Sequence, residues 1–282
     1  MATFHTTDGI ELRYERRGSG PPVYVCHGGP NNICDTLIKD LVPLEDHFTL
    51  VFHDYRGSGQ SANAPAETYR FARLGDDLDE LRRHLGDDPA AVLAHSMGGF
   101  VALNAVLEHP GGFDRLALVG TSPCDDPKAM VWPTLRALGP TRTLRALGLL
   151  ARFGVVWSWR PASLERTNAL YAPMRVTQEA RRELRAKVAA ALPEAPFDND
   201  NAAHLLGHLG DADLRTRLSD VRCPVLVLYG SRDAVSVVGG RMLMDGLQRA
   251  EQVVLDDVGH EAFIEDPDAT FTALTTFLAD PD

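Results

Sequence analysis

The segment VLAHSMGGFVAL, residues 92 to 103, sets one hydroxyl, that of Ser96, between an apolar run and a pair of glycines. A serine becomes a useful nucleophile only when a base takes its proton. The small residues around it, Ala94 and Gly98 among them, fit a sharp strand-to-helix corner in which bulky neighbours would collide. A helix starting just after Ser96 would also turn its positive end toward negative charge developing there. His260, in VVLDDVGHEAF, is the best-placed base, since it follows an apolar strand and precedes the last helix. That base needs an acid to fix its tautomer and stabilise its cation. Asp233 in VLVLYGSRDAV is the candidate, with Asp125 after LALVG as the alternative. Two N–H groups complete the set as an oxyanion hole: Met97, directly after the nucleophile, and Gly29 in HGGP. The chemistry so assembled is acyl transfer to serine and then to water.

Other histidines have blander readings. His27, His53 and His95 end apolar runs near the same chemistry, but each adjoins a motif with another role. His109 reads as the cap of the helix after Ser96, and His204 and His208 lie one helical turn apart on a surface with no further metal ligand.

Residues so far apart in the chain need a scaffold that brings strand ends together. PPVYVCHGGP, FTLVFHDYRGSG, AAVLAHSMGG, FDRLALVGTSP and CPVLVLYGSRD each read as a buried strand followed by a loop. Helical segments are expected over 33–46, 73–85, 97–108, 240–249 and 267–279. The alternation predicts an α/β fold with a doubly wound, mostly parallel sheet, whose ligands bind at the carboxyl ends of the strands. Residues 124–219 break the pattern: RTLRALGLLARFG, TQEARRELRAKVAAAL and NAAHLLGHL have helical period and no comparable strand. We read 1–123 and 220–282 as a core domain and 124–219 as a helical cap inserted over the strand ends.

The 282 residues, 44% hydrophobic and 24% charged, suit a globular chain with a large core. A formal net charge of −11 argues against nucleic acid and anionic membranes as partners. The cap differs, with 14 Lys and Arg against 10 Asp and Glu. Cys26, Cys34, Cys124 and Cys223 show no metal spacing, and Cys26 and Cys223 read as small apolar residues of strands. No apolar run is long enough to span a bilayer, and MATFHTTDGIEL has no signal character, so the cytoplasm is the expected compartment. A triad mechanism calls for no cofactor and no metal. The expected partner is a small-molecule or peptide-like substrate.

The order Ser96, Asp233, His260 and the strand-end motifs make the chain resemble the α/β-hydrolase superfamily over nearly its whole length. HGGP at 27–30, DYRGSGQS at 54–61 and the long helical insertion make it resemble, more narrowly, the proline iminopeptidase family of serine aminopeptidases. That resemblance implies cleavage of the amide bond of a terminal aminoacyl group, with Asp54 and Arg56 bracing the oxyanion loop and cap acids anchoring a free amine. Glu165 is the first candidate anchor, ahead of Glu179, Glu194 and Asp198, and Trp157 and Trp159 stand near the family's cap tryptophans. The sequence departs from the family at Asn31, Tyr55 and HSMGG, where the family has glycine, glutamine and GSWG. A serine at the elbow sets the chain apart from the dehalogenases and epoxide hydrolases that carry aspartate there. The alternatives on the same residues are a carboxylesterase, thioesterase or lactonase, and, from another class, a ligand receptor without catalysis.

Overall fold

The computed structural model describes residues 2–29, 33–125, 129–130, 133, 136, 204 and 212–280. The chain opens with two strands that the reading of the sequence did not include, β1 (Ala2–His5) and β2 (Glu11–Gly18), paired antiparallel. The strands expected from the apolar runs follow as β3 (Pro22–Cys26), β4 (Thr49–His53), β5 (Ala90–His95), β6 (Phe113–Val119), β7 (Val225–Gly230) and β8 (Ala250–Leu255). They form one eight-stranded sheet in the order β1-β2-β4-β3-β5-β6-β7-β8. The strands from β4 to β8 in that order run parallel to one another.

The helices are α1 (Asp35–Ile38), α2 (Phe71–Leu85), α3 (Gly98–Glu108), α4 (Ala234–Gly246), α5 (Ala262–Glu265) and α6 (Pro267–Ala279). Successive strand residues point to opposite faces, and the core divides accordingly. Val92 and Ala94 of β5, with Leu116 and Leu118 of β6, pack with Leu74 and Leu78 of α2 and Val101 of α3. Ala91 and Leu93, with Ala117 and Val119, pack on the other face with Leu37, Leu274 and Phe277. Covering both faces of a parallel sheet is what lets β5 and β7 be buried along their whole length.

Two helices depart most from their expected bounds. The helix read over 33–46 is split into α1 and a short 3-10 turn, Val42–Leu44, where Pro43 stands at its start. The helix read over 240–249 begins six residues earlier at Ala234, because the Asp233 carboxylate accepts from the N–H of Ser236 and caps it. Val235, Val237 and Val238 at that start read like strand and hid it. Cys223 sits just ahead of β7 and is half-buried rather than inside a strand.

The helical cap expected over 124–219, with Trp157, Trp159, Glu165, Glu179, Glu194, Asp198 and His208, lies mostly outside the described residues. Positions 129–130, 133, 136 and 204 are helical, and His204 stacks on Tyr69 with ring centroids 5.6 Å apart. The N–H of Leu214 donates to the Pro123 carbonyl at 2.9 Å, so the chain returns to the sheet beside the point where it left. Among the described residues no helix is long and apolar enough to cross a membrane.

Candidate active site

The direction of winding reverses between β3 and β5: from β3 the chain goes one way to β4, then back across to β5. Such a reversal opens a crevice at the carboxyl ends of the two strands. The HGGP segment leaves β3 on one side of it and Ser96 leaves β5 on the other.

Ser96 has φ of +54°, one of two non-glycine residues with positive φ among the described residues. A serine held in the left-handed region is strained. Here its N–H donates to the Val119 carbonyl at 2.9 Å and its carbonyl accepts from Gly99 at 3.0 Å, which fixes the corner from both sides. The glycine after Met97 is required by close approach: a Cβ on Gly98 would stand 2.3 Å from the carbonyl oxygen of Cys26. Helix α3 starts there, with its N-terminal end beneath Ser96.

His260 enters from the loop after β8 and Asp233 from the end of β7. The Ser96 hydroxyl lies 3.0 Å from His260 Nε2, and His260 Nδ1 lies 2.6 Å from Asp233 Oδ2. The structure therefore brings together the three residues that the sequence singled out, and it pairs His260 with Asp233 rather than Asp125. Burial pushes the carboxyl of Asp233 up, but the adjacent His260 and the bonds from Ser236 outweigh it and hold Asp233 below the usual carboxylate range. An ionised carboxylate only accepts, so His260 carries its proton on Nδ1 and offers the Nε2 lone pair to the serine. Asp125 behaves oppositely, with its carboxyl pushed up to about 6 by burial.

Two residues that the sequence reading passed over, Ser236 and Glu265, also hold the site, together with His95, which that reading placed near the chemistry without a role in it. Ser236 donates its hydroxyl to Asp233 Oδ2, the oxygen that faces His260. His95 lies with Nε2 3.3 Å from the His260 carbonyl and its ring 5.1 Å from the His260 ring. Glu265 accepts from the N–H of Gly259 at 2.9 Å and of Glu261 at 3.3 Å, one residue to either side of His260. Ser236 was findable, since Asp is a favoured helix N-cap and Ser236 falls three residues on, at the position whose N–H such a cap takes. His95 is marked by its place at a strand end beside Ser96, and nothing local in the sequence marks Glu265.

Gly29 is half-buried and Met97 is buried, and neither N–H has a hydrogen-bond partner among the described residues. A Cβ on Gly28 would meet Ser96 Cβ at 3.2 Å, so the HGGP loop passes in contact with the serine. Asp54 reaches the end of that loop by accepting from the N–H of Cys34 at 2.9 Å. The guanidinium of Arg56 bonds Asp77 twice at 2.7 Å and Asp8 at 2.9 and 3.2 Å, tying β4 to α2 and the β1–β2 turn. His109 ends α3 as expected, but its ring spans Asp76 and Asp79 of α2 at 2.9 and 3.3 Å. Among the described residues no three His, Cys, Asp or Glu come together as a metal site.

The sequence matches the family model for the alpha/beta hydrolase fold over residues 21–267. RutD of Caulobacter sp. (strain K31), to which a carbamate hydrolase activity is ascribed, is 27% identical over 269 residues, 90% of this chain and 94% of that protein. The pimeloyl-[acyl-carrier protein] methyl ester esterase of Aromatoleum aromaticum is 34% identical over 195 residues, 67% of this chain and 74% of the esterase. The structure of a proline iminopeptidase-related protein from Thermus thermophilus superimposes with a TM-score of 0.77 at 25% identity, covering 99% of this chain and 97% of that one. With that match, the sheet order and the strand-end placement of the site agree, and the chain belongs to the α/β hydrolase fold family of hydrolytic enzymes.

Proposed function

We propose that the protein is a serine hydrolase that cleaves a carboxylic ester or a closely related acyl bond through a covalent acyl-enzyme. The continuous hydrogen-bond path from the Ser96 hydroxyl through His260 to Asp233 carries this reading. As Ser96 Oγ bonds to the substrate carbonyl carbon, its proton passes to His260 Nε2 and the carbonyl electrons move onto oxygen, opposite the N–H groups of Met97 and Gly29. Collapse of that oxyanion expels the leaving group, which takes the proton from His260. Water then repeats the sequence, with His260 as base, and releases the acid and free Ser96. Asp233 keeps its negative charge and stabilises the imidazolium. The substrate is a small molecule, and this chemistry needs neither a metal nor a cofactor.

An oxygen leaving group is favoured by the basic balance of the 124–219 region, which suits an acidic or neutral acyl chain better than a free amine. Likeness to a methyl ester esterase agrees with this. The second reading, release of a terminal aminoacyl group, is supported by HGGP and DYRGSG and by the likeness to a proline iminopeptidase-related protein.

Two assays test the proposal. A fluorophosphonate probe is expected to label wild-type protein and not Ser96→Ala, and the variant is expected to lose roughly a millionfold in kcat. Equal labelling of the two would remove Ser96 as the nucleophile, and no labelling of either would leave the non-catalytic reading. A panel of p-nitrophenyl esters is then set against alanyl and prolyl anilides with free or acetylated amines. Preference for a free-amine anilide by about a hundredfold or more, about 2.7 kcal/mol of transition-state binding, would overturn the ester reading in favour of the aminopeptidase one.

A further inference from the structure

The oxyanion scheme asks the Gly28–Gly29 peptide to keep its N–H turned toward substrate, and a run of glycines has no side chain to hold that orientation. The imidazole of His27 supplies the hold: Nδ1 lies 2.6 Å from the Gly28 carbonyl oxygen. This peptide is trans, so its C=O and N–H point in opposite directions. Pinning the Gly28 oxygen on His27 therefore turns the Gly29 N–H away from the imidazole. Burial pushes His27 below its ordinary range, against the opposing pull of Asp54. The ring is therefore neutral, and its one proton must sit on Nδ1, because a carbonyl only accepts.

His27 Nε2 has no hydrogen-bond partner among the described residues. What holds the ring is Tyr55. The two rings stack with centroids 4.0 Å apart and planes 28° from parallel. The Tyr55 hydroxyl donates to the backbone carbonyl of His27 at 2.9 Å. Tyr55 is itself 1% exposed, with the edge of His53 against it at 5.3 Å. One tyrosine thus grips the histidine by its ring and by its backbone.

We propose that Tyr55 is a positioning residue: acting through His27, it holds the Gly28–Gly29 peptide in the orientation that presents the Gly29 N–H to the oxyanion. The inference rests on the acyl-transfer reading above and deepens it. Neither ring touches substrate in this scheme, so their effect falls on the stability of the tetrahedral adduct and not on ground-state binding.

The test compares Tyr55→Phe, which removes only the hydroxyl, with His27→Leu, which removes the donor to Gly28, and His27→Asn, which keeps a donor at that branch. Each is measured with p-nitrophenyl butyrate, a trifluoromethyl ketone that binds as a tetrahedral oxyanion adduct, and the matching methyl ketone that does not. Tyr55→Phe is expected to lower kcat and trifluoromethyl ketone affinity about tenfold each, with KM and methyl ketone affinity changed less than about twofold. His27→Leu is expected to lose about a hundredfold, and His27→Asn to recover to within about fivefold of wild type. Wild-type values in Tyr55→Phe, or equal weakening of both ketones, would overturn the proposal. If Tyr55→Phe does not fold, equal losses in His27→Leu and His27→Asn overturn it instead. Failure of the underlying reading shows separately, as full activity in Ser96→Ala or no adduct between wild-type protein and the trifluoromethyl ketone, and the positioning role falls with it.

Discussion

Asp233 Oδ2 stands 2.6 Å from His260 Nδ1, at the start of a helix that the same carboxylate caps through the Ser236 N–H. One acid orients the imidazole and begins α4, so its position is fixed by a structural need independent of chemistry. Ser236 adds a second donor to the oxygen that His260 uses.

Asp233→Asn leaves the cap largely intact, since an amide oxygen still accepts from Ser236. It puts a neutral group where the imidazolium needs a charge and allows the wrong imidazole tautomer. The expected result is a loss of roughly a thousandfold to ten-thousandfold in kcat with a small change in melting temperature. Steady-state kinetics beside a thermal melt would check it. Retention of more than about a tenth of the activity would remove Asp233 from the proposed relay.

The acid limb of stability follows from the depressed carboxyls. Burial raises Asp54, but the N–H groups of Gln60 and Cys34 and the charge of Arg13 outweigh it, and Asp54 ends below its ordinary range. A carboxyl lower in the folded chain than in the unfolded one stabilises the fold above the unfolded value. That contribution fades as pH falls through about 4 and onward to the folded value. Asp77, raised by burial, has the opposite sign: it costs stability at neutral pH and the cost disappears in acid. Asp54→Asn isolates the first effect. Its melting temperature should lie below wild type at pH 7, and the gap should close as pH drops below about 4. A gap independent of pH would show that the charge of Asp54 contributes nothing.

The site was legible because its residues sit at the ends of apolar runs, where a mostly parallel sheet must place its ligand chemistry. Ser96, Asp233 and His260 needed only that rule and the order of the elements. The antiparallel pair β1–β2 was not legible, because β2 reads ELRYERRG and its charged inner position disguises it. Arg13 is 3% exposed there and meets Asp35 at 2.6 Å and Asp54 at 3.4 Å, partners 22 and 41 residues away that no local pattern announces. Tyr55 was hidden for the same reason. In the sequence it is a departure from a family motif, and its use appears only when His27 is packed against it.

Arg56 offers a stability test away from the chemistry. Its side chain is wholly buried among Asp77 and Asp8, and Asp77 is 1% exposed. Arg56→Leu removes the cation and leaves a buried carboxylate with Arg73 alone, 3.0 Å away. The expected cost is about 3–5 kcal/mol, nearer the lower figure because Arg73 remains. Urea unfolding followed by circular dichroism would measure it. A cost under about 1 kcal/mol would mean that water or rearrangement replaces the arginine readily.

The two glycines beside Ser96 separate crowding of the scaffold from crowding of the site. A methyl on Gly98 runs into backbone: the carbonyl oxygen of Cys26 at 2.3 Å, its carbon at 2.7 Å and the carbonyl oxygen of His27 at 2.8 Å. Backbone of a central strand cannot step aside, so either the elbow or the HGGP loop must move. A methyl on Gly28 meets a side-chain atom, Ser96 Cβ, at 3.2 Å, which a few tenths of an ångström would relieve. Gly98→Ala is therefore expected to lose about 1–3 kcal/mol of stability together with about a hundredfold in kcat. Gly28→Ala is expected to keep nearly all its stability and still lose activity, because the few tenths it needs come out of the distance between nucleophile and oxyanion donors. Equal melting temperatures for the two variants would contradict the tight seat of Gly98 on β3. Full activity in Gly28→Ala would show that the HGGP loop does not set the geometry at Ser96.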